Sequence, residues 1–415
     1  MATAPPQERD RDVVTYAAFN GLRNDVTSER FDIGDLEVAD NIDIDKTGRI
    51  DRRAGYTLRS AGATHSLWAD RLQEVCMVVS GGNLNRLQTD YTRSAVKALV
   101  DGASRMSYER VNDRVYFSNG VDIGVYENGA ARSWGLPIGV VPGAAAIAGN
   151  MPAGKYQFTM SWLRVDGQES GAPMAGLIEL PASGGIQFTL PSSAHADVVG
   201  KILYLSPPNA ETMFEAAAVA NAQTSLTWLS DPSALSESLQ TQFLMPPPAG
   251  QLIAFYRGQM FVAVGDTIYQ SEPYAYEQFD LRRHVQLDGR VNLLAPFSDK
   301  DSGPDANRNS GFFVGTDRSC GVLAGTDTDH MQYVPKTDYG AIPGALDYVD
   351  GSLFHTGETG ARALPVWLTT QGLCAGMPDL QISNLTRAKY TFPAAGRGAA
   401  LFMPGPKRFI ATANL

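Results

Sequence analysis

Apolar and polar residues alternate along this chain in short runs separated by turns, and one strand-turn-strand phrase recurs. It reads VNDRVYFSNGVDIGVYENG at Val111 to Gly129, YRGQMFVAVGDTIYQSEP at Tyr256 to Pro273, SGFFVGTDRSCGVLAGTD at Ser310 to Asp327 and VDGSLFHTGETGARALP at Val349 to Pro365. A weaker copy, EVCMVVSGGNLNRLQ, spans Glu74 to Gln88, and GAALFMPGPKRFIATA closes the series from Gly398. Each copy sets three or four β-formers between turns built on Gly, Asn or Asp, which is the grammar of a hairpin. Hairpins repeated at this grain predict a radial β architecture. No long stretch shows helical periodicity, so the chain is expected to be all-β.

The pattern divides the chain into four stretches. Residues 1–65 form an arm whose segment VADNIDIDKTGRIDRRAGYTLR alternates around a Thr47-Gly48 turn and is expected to lend strands to the main sheet system. Residues 66–145 hold the first repeats and end in the bridge GLPIGVVPGAAAIAG, Gly135 to Gly149. Residues 146–235 change style, with longer strands in KYQFTMSWLRVDG, GIQFTLP, KILYLSPP and SLTWLS, the spacing of a small fibronectin- or immunoglobulin-like sandwich. After the stiff run FLMPPPAG, Phe243 to Gly250, the repeat style fills the rest of 236–415. The expected fold is a β-propeller of about six blades, with five or seven as alternatives, carrying an inserted β-sandwich. Ring closure should bring Ile42 to Tyr56 near the C-terminal ARGAALF and RFIATANL segments.

Charge and cysteine content narrow the classes. With 34 basic against 44 acidic residues the net charge is −10, unlike proteins that grip nucleic acid through its phosphates. Cys76, Cys320 and Cys374 are far apart and odd in number, which offers neither a disulfide framework nor a CxxC metal knuckle; reduced thiols beside strands are expected. The opening MATAPPQERDRDV has no apolar core of a signal peptide, and the bridge is broken by prolines and too short for a membrane span. The expectation is a soluble protein made in a cytoplasm, without membrane insertion.

Chemistry is thin. Asp43, Asp45, Thr47 and Gly48 imitate the opening of a calcium loop, but Ala54 stands where the bidentate Glu would be, so a hairpin with exposed Asp is the reading. His65, His195, His284, His330 and His355 have no metal-ligand spacing. No nucleophile elbow, phosphate loop or Asp-box occurs, and Asp266, Asp317, Asp347 and Asp350 all sit in turns of the repeat, where Asp is favoured for its backbone. No catalytic, cofactor or metal residue is therefore assigned. A glycosidase would need two carboxylates facing across a sugar, and a glycan-binding module would need Trp68, Trp162, Trp228 or Trp367 in a groove, although these lie in strand runs. Arg49, Arg52, Arg53 and Arg59 crowd one hairpin, either as a solvated face or as a contact for nucleic acid or an acidic neighbour. Asp299 to Gly311 reads as a long exposed loop able to reach a partner.

The order of phrases in the arm resembles a group of bacteriophage and prophage virion proteins. The matching residues are Gly21, Leu22, Asn41, Asp43, Gly48, Arg52, Arg53, Gly55 and Tyr56. WGLP at Trp134 to Pro137, PAGKYQFTMSWLRVDGQESGA, YGAIPGALDYVDG and TRAKYTFPAAGRGAALF fit the same type, so the resemblance covers most of the chain. It implies a β-propeller subunit of the nozzle or hub that closes the tail tube of short-tailed phages. Such subunits form rings, often of six, around the DNA channel and dock adaptor and fibre proteins. The implied location is the virion, after assembly in the host cytoplasm, with DNA passing unbound through an acidic lumen. Nozzle proteins are often longer, which implies a compact version or a neighbouring tail protein.

Overall fold

In the strand Arg114–Ser118 successive side chains feed two different cores. Val115 and Phe117 are buried with Met77, Val79, Leu84 and Tyr108, whereas Tyr116 is buried with Trp134, Ile253, Met260 and Phe279. Gln259–Val264 does the same, with Met260 and Val262 on one side and Phe261 and Ala263 on the other. A strand buried on both faces cannot alternate apolar with polar, which is why YF, MFVAV and FFV run unbroken.

The computed structural model describes residues 18–45, 47–70, 72, 74–297, 310–325, 328–354, 363–386, 389–392 and 395–414. They divide into two units, one of residues 60–341 with 378–381, the other of residues 1–59, 342–377 and 382–415. The larger unit holds four sheets of four strands in chain order. The first blade is Thr64–Ala69, Cys76–Ser80, Asn83–Leu87 and Arg93–Ala98; the second is Ser107–Val111, Arg114–Ser118, Ile123–Glu127 and Ala130–Arg132. The third is Leu252–Tyr256, Gln259–Val264, Thr267–Glu272 and Ala275–Gln286; the fourth is Val291–Phe297, Gly311–Thr316, Cys320–Ala324 and Gln332–Pro335. Cores lie between the first and second, second and third, and third and fourth blades. Meandering blades stacked through such cores belong to the all-β, β-propeller class. Among the described residues no helix is long and apolar enough to cross a membrane.

A sandwich interrupts the blades between the second and the third. One sheet pairs Gly143–Met151, Gly184–Thr189 and Ser225–Trp228; the other orders Gly176–Leu180, Gly154–Arg164, Val198–Leu205 and Phe214–Ala220. Met151, Tyr156, Phe158, Trp162, Ile186, Phe188 and Leu203 fill the space between them. The run GAAAIAGNM, read from sequence mostly as a bridge, is the sandwich's first strand. Its small residues have weak strand preference, and pairing with Gly185 to Thr189 overrides it.

The smaller unit contains a fifth blade, Ala341–Asp350, Ala363–Thr369, Gly372–Gly376 and Ile382–Asn384, and three two-stranded sheets. The arm hairpin forms as expected, with Ile42–Ile44 pairing Ile50–Arg52 around Gly48 at φ 81°. The C-terminal strands Arg397–Met403 and Arg408–Asn414 pair with each other. The arm does approach them, through Arg408 and Asp43 at 2.9 Å, but no ladder joins the two hairpins among the described residues. The start at residues 1–17, most of the loop at 299–311 and His355 lie outside the described residues.

The sandwich is seated by close backbone contacts. Gly139 N–H donates to the Gly171 carbonyl at 2.8 Å, and a Cβ on Gly171 would lie 1.7 Å from the Leu244 carbonyl oxygen. Gly171→Ala should therefore lower stability by about 1–3 kcal/mol, the usual cost of overpacking, seen in calorimetry as a lower Tm. An unchanged Tm would mean the contact is not tight.

Candidate functional site at the root of the sandwich

Charged residues from three parts of the larger unit meet where the sandwich joins the blades. Arg114, Glu127 and Arg132 come from the last three strands of the second blade, Arg164 and Asp166 from the end of a sandwich strand and its turn, and Glu277 from the outer strand of the third blade. Arg164 Nη1 donates to Glu277 Oε2 at 2.6 Å and Nη2 to Oε1 at 3.0 Å, while Arg132 Nη2 reaches Oε1 at 3.1 Å. Arg164 also forks onto Asp166, with both bonds at 2.8 Å. Arg114 and Arg132 hold the two oxygens of Glu127 at 2.9 and 3.1 Å.

Three guanidinium and three carboxylate groups balance, and each of the six carboxylate oxygens accepts at least one guanidinium hydrogen. The Arg164 and Glu277 side chains are 3% and 4% exposed. At that burial, charge is tolerated only when paired and hydrogen-bonded, so removing one member strands the other. Hydrogen bonds from Arg164 hold the Asp166 carboxyl down, to about 2. Burial pushes against ionisation of Glu127, but Arg114 and Arg132 outweigh it and keep its carboxyl below the ordinary value. Burial, with the Glu277 charge second, pushes the Tyr116 phenol up to about 12. With every oxygen engaged, the cluster acts chemically as a joint and offers no free acid or base.

Neutral contacts extend the joint. Trp134 Nε1–H donates to the Tyr276 carbonyl at 2.8 Å, and its ring meets Tyr116 and Phe279 edge-on. Glu169 Oε1 accepts from Tyr204 and Thr241 at 2.9 and 3.1 Å, and its carbonyl accepts from Gln278 at 2.8 Å. Met245 and Phe279 exchange backbone hydrogen bonds of 2.8 and 2.9 Å, so the linker FLMPPPAG is bound along the third blade. Beside it, Phe243, Met245, Asp280, Leu281 and Arg282 line an open cleft of about 250 Å³.

The residues weighed from sequence are spread through the structure. Asp45 Oδ1 accepts from Thr47 N–H, Thr47 Oγ1 and Arg49 N–H at 2.8, 2.6 and 3.0 Å, which closes the arm hairpin as a turn, while Asp43 pairs with Arg408. Asp317 accepts from Arg290 N–H, Asp350 from Ser352 N–H, and Asp266 from Thr267 and Gln286. Asp347 accepts from Phe402 N–H. His65 contacts Ser66 and the Gly102 carbonyl, His195 contacts Ser133, and His284 contacts the Leu281 carbonyl. Among the described residues no three His, Cys, Asp or Glu gather as a metal site. Cys76, Cys320 and Cys374 are not joined in disulfides, and the first is half-buried and the others buried. Trp162 and Trp367 are buried, and Trp68 and Trp228 pack on cores. Arg53 stacks on Tyr56, and Arg49 pairs with exposed Asp51.

The network itself escaped the sequence reading, because its members span residues 114 to 277. The signal available was a charge set inside an aromatic strand run, as in SWLRVDG and AYEQFDL.

No family model and no curated protein matches the chain. Among solved structures it is similar to BBS1N, crystallised in complex with ARL6DN, at 10% identity over 82% of this chain and 84% of that one, with a TM-score of 0.29. It is also similar to the extracellular domain of the putative one component system BT4673 from B. thetaiotaomicron, at 11% identity over 87% and 59%, with a TM-score of 0.23. At these scores neither likeness bears on what the chain does.

Glu277→Leu alone should cost about 3–5 kcal/mol, and adding Arg164→Met should recover part of that loss, because the stranded charge is removed. Thermal unfolding of the single and double variants measures this; strictly additive losses would contradict a coupled pair. Carboxyls held down in the fold stabilise it above their unfolded pKa, and this is lost as pH falls through the folded value. The Asp166 contribution should therefore fade between its ordinary 3.8 and about 2. In Arg164→Met that contribution, and with it this part of the pH dependence, should largely disappear, read from Tm against pH.

Proposed function

We propose that this protein is a structural component of a bacteriophage tail, a propeller subunit that assembles as a ring, of six copies by the family resemblance, at the nozzle or hub. Adaptor and fibre proteins are its neighbours there, and DNA passes during ejection without specific binding. The observation that supports this reading is where the family-like phrases fall. Trp134 and Leu136 of WGLP are buried at the joint between blades and sandwich, Tyr156, Phe158 and Trp162 fill the sandwich core, and Gly48 turns the arm hairpin. These residues of the resemblance thus do architectural work.

Stacked blades and a sandwich fastened by buried ion pairs suit a part that must bear load and keep its shape. The net negative charge suits a channel that lets the phosphate backbone slide. Receptor or glycan binding and polysaccharide hydrolysis draw no support from the weighed Trp residues, which pack in or on cores, or from the weighed Asp residues. Asp317, Asp350 and Asp347 accept from backbone N–H groups, and Asp266 from Thr267 and Gln286 side chains. Asp347 lies within the strand Ala341–Asp350, not in the turn expected from sequence.

Light scattering of the purified chain, alone and with extracted tail components, tests the reading. A mass at a ring-sized multiple of 44.6 kDa is expected, at least in the presence of the tail. A monomer that ignores tail components would contradict it.

A further inference from the structure

The last sheet is half a blade. Ala400, Phe402, Phe409, Ala411 and Ala413 of the C-terminal hairpin pack on Ile342, Leu368, Val349 and Val366 of the fifth blade, much as neighbouring blades of the larger unit pack on one another. Yet this sheet has two strands where the five blades have four. Phe402 N–H donates to Asp347 Oδ2 at 2.6 Å and not across the hairpin, so Phe402 and Phe409 face each other as a non-hydrogen-bonded pair. By the alternation of an antiparallel ladder, the N–H and C=O groups of Phe409, Ala411 and Ala413 then point away from their partner strand. Among the described residues none of these groups has a backbone partner. Such an edge is a template for another strand.

The same unit carries an unused strand. After the arm hairpin, residues 53–59 form no ladder, and the backbone from Ala54 to Leu58 makes no backbone hydrogen bond, among the described residues. Tyr56 and Leu58 alternate with Thr57 and stand 75% and 80% exposed, a strand pattern in which only the Tyr56 ring has a side-chain contact given, with Arg53. Exposed Leu401 adds apolar surface to the half blade. Among the described residues, donor segment and acceptor edge are not paired with each other. Exchange with a second copy would satisfy both, in a head-to-tail contact that can close a ring.

We infer that residues 54–58 of one copy add as a strand to the open edge of Arg408–Asn414 in the next copy, extending its half blade. This rests on the ring reading and specifies the contact that builds it.

Two proline variants test it, each removing an N–H the exchange needs. Thr57→Pro disables the donor at an exposed position outside any ladder, and Ala411→Pro disables the acceptor on its outward side. Light scattering is run under whichever condition assembles the wild type, alone or with tail extract, after near-ultraviolet circular dichroism has confirmed folding. Each variant alone should fall to the monomer mass, and their mixture should form a one-to-one dimer, because only one productive interface remains. If Ala411→Pro misfolds, Thr57→Pro alone decides by the loss of the ring. An oligomer that survives Thr57→Pro would overturn the strand exchange and leave the ring reading standing. Monomeric variants that fail to dimerise on mixing would also overturn it, since the segment would then close its own blade. A wild type that never assembles would overturn both.

Discussion

Arg164 and Glu277 are almost closed to water, and neither can exist there without the other. That constraint ties the sandwich to the second and third blades. Arg164 belongs to the sandwich, Glu277 to the third blade, and Arg132 brings the second blade onto the same carboxylate. An apolar seam would tolerate slippage, because hydrophobic contact has no direction. Forked guanidinium-carboxylate bonds do have direction, and they admit one seating. Trp134, Glu169 and the Met245–Phe279 bridge follow from that seating, since each reaches its partner only when the third blade's outer strand lies against the sandwich root.

The blades depend on a different rule, in which one strand serves two cores. Tyr116 and Phe117 are adjacent in sequence yet buried in different clusters, as are Met260 and Phe261, so the second and third blades are each stabilised by both neighbours. In the smaller unit the C-terminal hairpin buries its inner face on the fifth blade and, among the described residues, leaves an edge of β-structure unpaired, the edge on which the proposed strand exchange rests.

The sequence made the hairpins legible because turns built on Asn-Gly and Gly-Asp are local chemistry, but the phrase after Asp350-Gly351, expected to continue as β-formers, is a short 3-10 helix, Gly351–Phe354. The strands around Tyr116 and Phe261 were equally plain, because burial on both faces leaves an unbroken apolar run. Gly143–Met151 was not, since alanine and glycine carry little strand signal and only its partner at Gly185 to Thr189 makes it a strand. The ion network was hidden for a stronger reason. Its charges are unremarkable one at a time, and what distinguishes them is a convergence that only tertiary structure creates. Asp347 was noticed as a turn residue, but its bond to Phe402 N–H, which identifies the open edge, could not be read from spacing.

Held by the buried network, the sandwich and its flanking blades should move as one body. Electron spin labels on cysteines replacing exposed Ala222 in the sandwich and Ala95 in the first blade, with Cys76 replaced by serine, would measure the distance distribution between them. The account predicts one narrow distribution that broadens in Glu277→Gln. A distribution already broad in the unmutated network, or one indifferent to the loss of Glu277, would contradict it.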